Sequence, residues 1–221
     1  MTVSSNTRKA IEDLLKSFET AQRTPSDIRQ LNRSINTVTH LVNGPSSSLD
    51  IKIASSAIEE MSRAFTMFAP FRNVRKVSIF GSARTTPDSP IYALTAATAK
   101  ALADHHFMVV TGAGPGIMEA GMVGAGRENS IGVSIRLPFE TGANSVIEGD
   151  DKYVSMRYFF TRKLMLVKES HAFLCMPGGF GTLDETFELL TLAQTAKSVP
   201  VPIVFLEVPG HPFWTPLMKA M

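Results

Sequence analysis

Apolar residues change their spacing partway along the chain. Over the first seventy positions they recur every three or four residues, the period of a helix with one buried stripe. Ile11, Leu14, Leu15 and Phe18 mark a helix over Thr7 to Ala21. Ile28, Leu31, Ile35 and Val38 mark a second over Pro25 to Val42, and Ile53, Ile58, Met61, Phe65 and Phe68 a third over Ile51 to Phe68. The stretch from Asn43 to Ser48 holds Gly44 and Pro45 and reads as the loop between the last two. Residues 1–70 are therefore expected to form a helical appendage, packed on a main domain or on a second subunit, with no residue of evident chemical use.

From Arg75 onward short apolar runs alternate with helical patterns, which predicts a parallel sheet covered on both faces. The predicted strands are Lys76 to Phe80, Phe107 to Thr111, Ile131 to Arg136, Ala172 to Met176 and Val201 to Leu206. Helices are expected at about Ile91 to His105, Pro115 to Arg127, Met156 to Ser170 and Leu183 to Ala196. The fold class is thus α/β, a Rossmann-like doubly wound parallel sheet over residues 71–221 with an N-terminal helical appendage. Ligands of such sheets sit beyond the carboxyl ends of the strands.

Three of those ends are rich in glycine: Gly81-Ser-Ala-Arg84, Gly112-Ala-Gly-Pro-Gly116 and Pro177-Gly-Gly-Phe-Gly-Thr182. Glycine lets backbone amides approach an anion, and the start of a helix favours a phosphate there. The second turn is not a dinucleotide fingerprint, because Ile117 stands where G-x-G-x-x-G needs its last glycine. Pro115 is still expected at the first position of a helix open to an anion. In the third turn Thr182-Leu-Asp-Glu185 also fits a capping box, with Thr182 as cap and Glu185 reaching back to it. Glu185 is then either a cap or a functional carboxylate, and the spacing alone leaves both open.

The helix around Met156 to Val167 is apolar almost all round, yet carries Arg162 on a stripe with Tyr158, Phe159, Met165 and Leu166. A guanidinium there needs a carboxylate or a bound anion. Tyr158, Phe159 and Met156 are candidates to line a pocket for an apolar ring.

Charge narrows the ligand. With 22 basic and 20 acidic residues the net charge is +2, too little surplus for a nucleic-acid backbone. A small anion such as a mononucleotide fits better. The single cysteine, Cys175, excludes an internal disulfide framework and is expected to be a buried, inert thiol. The five histidines show no ligand spacing, so no metal site is expected. No secretory or spanning segment is evident, which predicts a soluble cytoplasmic protein.

Arg162-Lys163 followed by Pro177-Gly-Gly-Phe-Gly-Thr-Leu-Asp-Glu185 resembles the LOG ("lonely guy") family, cytokinin riboside 5′-monophosphate phosphoribohydrolases once labelled lysine decarboxylases. The resemblance covers about residues 75 to 217 and is nearer the longer bacterial members. It implies a hydrolase domain over residues 71–221 that splits the N-glycosidic bond of a cytokinin monophosphate or AMP into free base and ribose 5-phosphate. It implies Arg162 and Glu185 as catalytic residues. Gly81, Ser82, Gly112, Gly114, Gly116, Glu140, Lys163, Gly178, Gly179, Gly181, Thr182 and Thr191 would contact the nucleotide. Neither metal nor cofactor is implied, and the site would lie near the interface of a homodimer or larger assembly. A non-catalytic binder of a nucleotide or a pterin-type cofactor is the alternative; keeping both Arg162 and Glu185 favours the enzyme. Residues 1–70 have no counterpart in short members, and the end at Met221 is consistent with truncation.

Overall fold

A computed structural model describes residues 9–11, 13, 14, 16, 24–138 and 142–220. Most of the helix predicted over Thr7 to Ala21 lies outside them. The chain divides into two compact units, Met1–Ile58 and Glu59–Met221.

In the first unit, α1 (Pro25–Asn43) opens with a capping box: the Thr24 hydroxyl accepts the Asp27 amide at 3.2 Å and the Asp27 carboxylate accepts the Thr24 amide at 3.0 Å. Helix α2 (Ser48–Phe68) begins with the same device, Asp50 accepting the Ser47 amide at 2.8 Å. Its last ten residues, from Glu59, belong to the second unit.

That second unit is built on six parallel strands among the described residues, in the order β4-β3-β2-β1-β5-β6. They are β1 (Lys76–Phe80), β2 (Met108–Thr111), β3 (Ser130–Ile135), β4 (Tyr153–Met156), β5 (Ala172–Cys175) and β6 (Ile203–Phe205). The helices are α3 (Pro90–Asp104), α4 (Ile117–Ala125), α5 (Phe159–Glu169), α6 (Phe180–Gln194) and α7 (Trp214–Ala220). Side chains alternate between two cores. Met108, Val110, Phe173 and Cys175 join Met165, Leu166 and Leu189 on one face, while Val77, Ile79, Val109 and Leu174 join Ala99, Ile117 and Ala125 on the other. Both faces are covered, as the near-continuous apolar strands require. On the second face α3 and α4 touch backbone to backbone, since a Cβ on Gly124 would lie 2.0 Å from the Ala96 carbonyl oxygen.

Five of these strands match the predicted ones to within two residues at each end. Strand β4 is absent from the predicted set. Tyr153-Val-Ser-Met is half polar, follows Gly149-Asp-Asp-Lys152 and runs into the apolar helix sequence, and Met156, expected to open the helix, ends the strand. Two helix starts also differ. Pro115 precedes α4, whose N-cap is Gly116 at φ 69°. Helix α6 starts at Phe180 behind Gly179 with no side-chain cap, so the Thr182–Glu185 capping box does not form. Thr182 is instead inside the first turn. An extended glycine can lead straight into a helix, and it carries the start three residues upstream of Leu183.

Just beyond β6 the Glu207 carboxylate accepts the amides of Phe213, Trp214 and Thr215 and the Thr215 hydroxyl. Those bonds hold its pKa down at about 2. No helix among the described residues is long and apolar enough to cross a membrane.

Candidate functional site

The strand order reverses between β1 and β5, and the turns that leave those two strands flank the reversal. They are bonded to each other. The Ser82 amide donates to the Pro177 carbonyl at 3.1 Å, and the Ser82 carbonyl accepts the Ile117 amide at 3.0 Å. The Gly81–Ser82 turn is therefore pinned between the other two glycine turns. Gly116 fits only without a side chain, because a Cβ would lie 2.4 Å from the Ser82 carbonyl oxygen. At Gly178 a Cβ would meet the Thr182 hydroxyl oxygen at 2.1 Å and the Ser82 nitrogen at 3.0 Å.

Gly179 and Gly181 differ, since a Cβ on either would meet nothing within 4 Å. Both are exposed at the start of α6, where the first amides of a helix have no intrahelical acceptor. The bend therefore presents free donors and open space on one side. A phosphate fits such a place.

Arg162 and Glu185 meet beside it. The Arg162 Nη1 lies 3.2 Å from Glu185 Oε1, with side chains 10% and 12% exposed. The Arg162 Nε donates to the Val133 carbonyl on β3 at 3.0 Å. Its Nη2 rests against Gly112, where a Cβ would come within 2.2 Å. Gly112 thus makes room for the guanidinium. Burial pushes the Glu185 carboxyl above the ordinary glutamate value; Arg162 pulls against this, Asp184 pushes further up, Lys163 pulls down and Glu188 pushes up. A raised carboxylate pressed against a cation marks a functional-site candidate.

Lys163 is occupied. Its ammonium lies 3.2 Å from Asp184 and 2.7 Å from Glu188. Burial lowers its pKa, but the bonds to Glu188 and Asp184 outweigh that and raise it. The lysine ties α5 to α6 and so fixes the distance across which Arg162 and Glu185 meet.

Among the other predicted residues, Gly114 packs against Met118 and its carbonyl accepts Asn144 Nδ2 at 3.0 Å. Thr191 is exposed, and its hydroxyl donates to the Phe187 carbonyl at 2.7 Å within α6. Glu140 lies outside the described residues. Met156 is fully buried in the core; Tyr158 stacks on Phe160 with ring centres 5.4 Å apart. Cys175 is buried, its thiol pushed up to about 11 mainly by burial, and so stays protonated. Among the described residues no cluster of histidine, cysteine, aspartate or glutamate could hold a metal.

Two contributors have no obvious sequence signal. Asn144, between the loop after β3 and β4, bonds the Gly112–Gly116 turn through its amide to the Ala113 carbonyl at 2.8 Å. Ala113 itself holds φ 58°, a strained value for a non-glycine residue, with its amide on the Thr111 hydroxyl at 3.0 Å. The other is Glu60. It is 4% exposed and its carboxylate caps the start of α5. Residues 1–70 carry no motif of evident chemical use, and the adjacent pair Glu59-Glu60 on a helix gives no sign of this role.

Comparison with known proteins agrees with the motif. Residues 115–221 match the family model described as "Possible lysine decarboxylase". The cytokinin riboside 5′-monophosphate phosphoribohydrolase LOG1 of Arabidopsis thaliana is 42% identical over 50 residues, 23% of each chain. The probable phosphoribohydrolase LOGL1 of Oryza sativa subsp. japonica is 35% identical over 75 residues, 34% of this chain and 31% of its own. These matches span only about a quarter to a third of the curated relatives. DNA processing protein A from Helicobacter pylori shares the fold, with a TM-score of 0.51 and 18% identity over 68% of this chain and 74% of its own. The description of the matched family suggests a pyridoxal phosphate site, and Lys163 does not fit one. Its two carboxylates raise its pKa, whereas a Schiff-base lysine needs it lowered.

Proposed function

Because the chain is a relative of the LOG phosphoribohydrolases, we propose that it hydrolyses the N-glycosidic bond of a nucleoside 5′-monophosphate, releasing the free base and ribose 5-phosphate. The observation that carries this is the Arg162–Glu185 pair beside the open glycine bend at the strand reversal. A phosphate binder needs the bend; it does not need a raised carboxylate held on an arginine.

The 5′-phosphate would lie against the amides of Gly179 to Thr182, with Ser82 as a further ligand. Cleavage develops positive charge at C1′ as the base departs with the bonding electrons. Glu185 as the carboxylate stabilises that charge, and it takes a proton from the water that attacks C1′. Arg162 donates a hydrogen bond to the departing base or to the phosphate and keeps its own proton throughout; the proton taken by Glu185 passes to the base nitrogen, directly or through solvent, so the base leaves neutral and the carboxylate is restored. Cytokinin riboside monophosphates and AMP are the substrates we assign. Incubation with AMP, GMP, CMP and isopentenyladenosine monophosphate, followed by chromatography for free base, tests this. Release of base from none of them would overturn it.

The acidity of Glu185 sets a pH limb. The reaction needs the carboxylate, and its pKa in the folded protein lies above the ordinary 4.5. The kcat/KM profile should therefore fall on acidification through a midpoint above that value, while Glu185 makes the fold more stable across the same limb, because the raised carboxyl binds its proton more tightly folded than unfolded. A midpoint at or below 4.5 counts against Glu185 as the ionised group.

We also propose a homodimer or larger assembly. Phe159, Phe160 and Leu164 on α5 and Phe180 and Phe187 on α6 are exposed, Phe180 to 93%. That much apolar surface beside a binding site suits an interface. Light scattering at micromolar concentration should give at least twice the monomer mass; a monomeric mass would refute it.

A further inference from the structure

We propose that Glu60 is a positioning residue for Arg162, acting through the start of helix α5. Helix α5 lacks a cap of its own: Tyr158 is at its N-cap and makes no side-chain bond. Glu60 of α2 supplies what is missing. One carboxylate oxygen accepts the Arg157 amide at 2.7 Å; the other accepts the Tyr158 amide at 3.4 Å and the Thr161 hydroxyl at 2.7 Å. Thr161 is fully buried and Glu60 nearly so, so water does not compete for these bonds. An anion at the positive end of the helix is also favoured by the aligned peptide dipoles.

The next residue after Thr161 is Arg162. Its backbone amide closes the first helical bond, onto the Tyr158 carbonyl at 3.2 Å, so the rotation and tilt of that first turn decide where its guanidinium points. Three protein groups then receive it: the Val133 carbonyl, Glu185 and the side-chain-free face of Gly112. Two of these groups are backbone and the third is on α6, so a shift of the start of α5 displaces the guanidinium relative to them. The tail of α2 also holds α5 further along. Ala64 and Phe68 pack with Met165 and Leu166, and the Lys168 ammonium sits 5.1 Å over the Phe65 ring. Glu60 is the part of this contact that fixes the end nearest the arginine.

The role rests on the phosphoribohydrolase reading only for its kinetic consequence, so the test has an arm without turnover. In full-length protein labelled with 15N-arginine, the Arg162 Nε–H should exchange slowly because it is bonded to Val133. In Glu60→Ala that exchange should accelerate at least about tenfold, and in Glu60→Gln, which keeps one acceptor for the Arg157 amide, it should return part of the way. Thr161→Val removes only the hydroxyl and serves where Glu60→Ala does not fold. In the kinetic arm, with whichever monophosphate the wild type cleaves, kcat of Glu60→Ala should fall roughly ten- to a hundredfold. KM should change less than kcat, and the acidic limb should move to higher pH as Glu185 loses its cation. Wild-type Nε–H exchange in Glu60→Ala and Thr161→Val would overturn the proposal, even if both melt at lower temperature. A wild type that cleaves no nucleotide but shows the exchange change would refute the enzyme and leave the positioning role standing.

Discussion

Replacing Glu185 with glutamine is expected to lower turnover by roughly a hundredfold or more while the protein stays folded and still binds nucleotide. The substitution keeps the length and shape of the side chain and one carbonyl oxygen for Arg162. It removes the negative charge that would face C1′ and the lone pair that would take a proton from water. The absence of a capping box sharpens the test. Had Glu185 closed a box with Thr182, a change here would perturb the start of α6; with Gly179 as N-cap and no side-chain cap bond, the helix start does not depend on it. Burial raises the carboxyl and the amide still offers Arg162 an acceptor, so the protein should stay folded, with a lower melting temperature because the buried guanidinium loses its counter-charge. Steady-state kinetics and calorimetric binding of AMP separate the outcomes. Wild-type turnover in Glu185→Gln would end the catalytic assignment and leave a protein that binds nucleotide without cleaving it.

The second large effect is expected at a residue with no side chain. In Gly112→Ala the new methyl would lie 2.2 Å from Arg162 Nη2 and 2.6 Å from Met118 Sδ. Met118 is flexible and can turn away, whereas Arg162 is bonded at Nε to Val133 and at Nη1 to Glu185. The guanidinium must leave its place, and a displacement of about 1 Å at such a site can cost about a hundredfold in rate. Overpacking should also destabilise the fold by about 1–3 kcal/mol. Gly124→Ala separates the two consequences, because its strain falls on Ala96 in the α3–α4 contact, which Arg162 does not touch. We expect both variants to lose stability by thermal melting and only Gly112→Ala to lose most of its turnover. Equal activity in the two would show that the seat of Arg162 does not matter.

Much of this arrangement was legible because the relevant signals are local. The strands around Val77, Val109, Ile131 and Leu174 announce themselves as apolar runs, and the glycine-rich ends of the first, second and fourth are adjacent in sequence to the residues they serve. The pairing of Arg162 with Glu185 could be expected from a motif, since the two lie on consecutive helices separated by one strand. What could not be read depends on distant neighbours. Gly112 looks like a phosphate turn until the guanidinium is seen against it. Lys163 looks like an anion ligand until Asp184 and Glu188 are found on its ammonium. Glu60 is one of two adjacent glutamates on a helix, and only its burial beside Arg157, Tyr158 and Thr161 distinguishes it. Strand β4 was missed for a different reason: two of its four residues are polar, and its place at the edge of the sheet beside β3 comes from pairing rather than from hydrophobicity.

The strand order also has a consequence for how the protein is made. Strand β1 takes β2 as one neighbour and β5 as the other, and the chain between β2 and β5 contains two strands and two helices. As a polypeptide leaves the ribosome, β1, β2 and β3 can pair while one edge of β1 still lacks its partner. Such an edge is open to wrong pairing until β5 arrives, and closing it is slow because the residues that meet are far apart in sequence. The Ser82–Pro177 bond forms only at that step, and Glu185 follows later still. A nascent chain therefore acquires its site near the end of folding, and ligand that needs the complete bend can stabilise only molecules that have already finished.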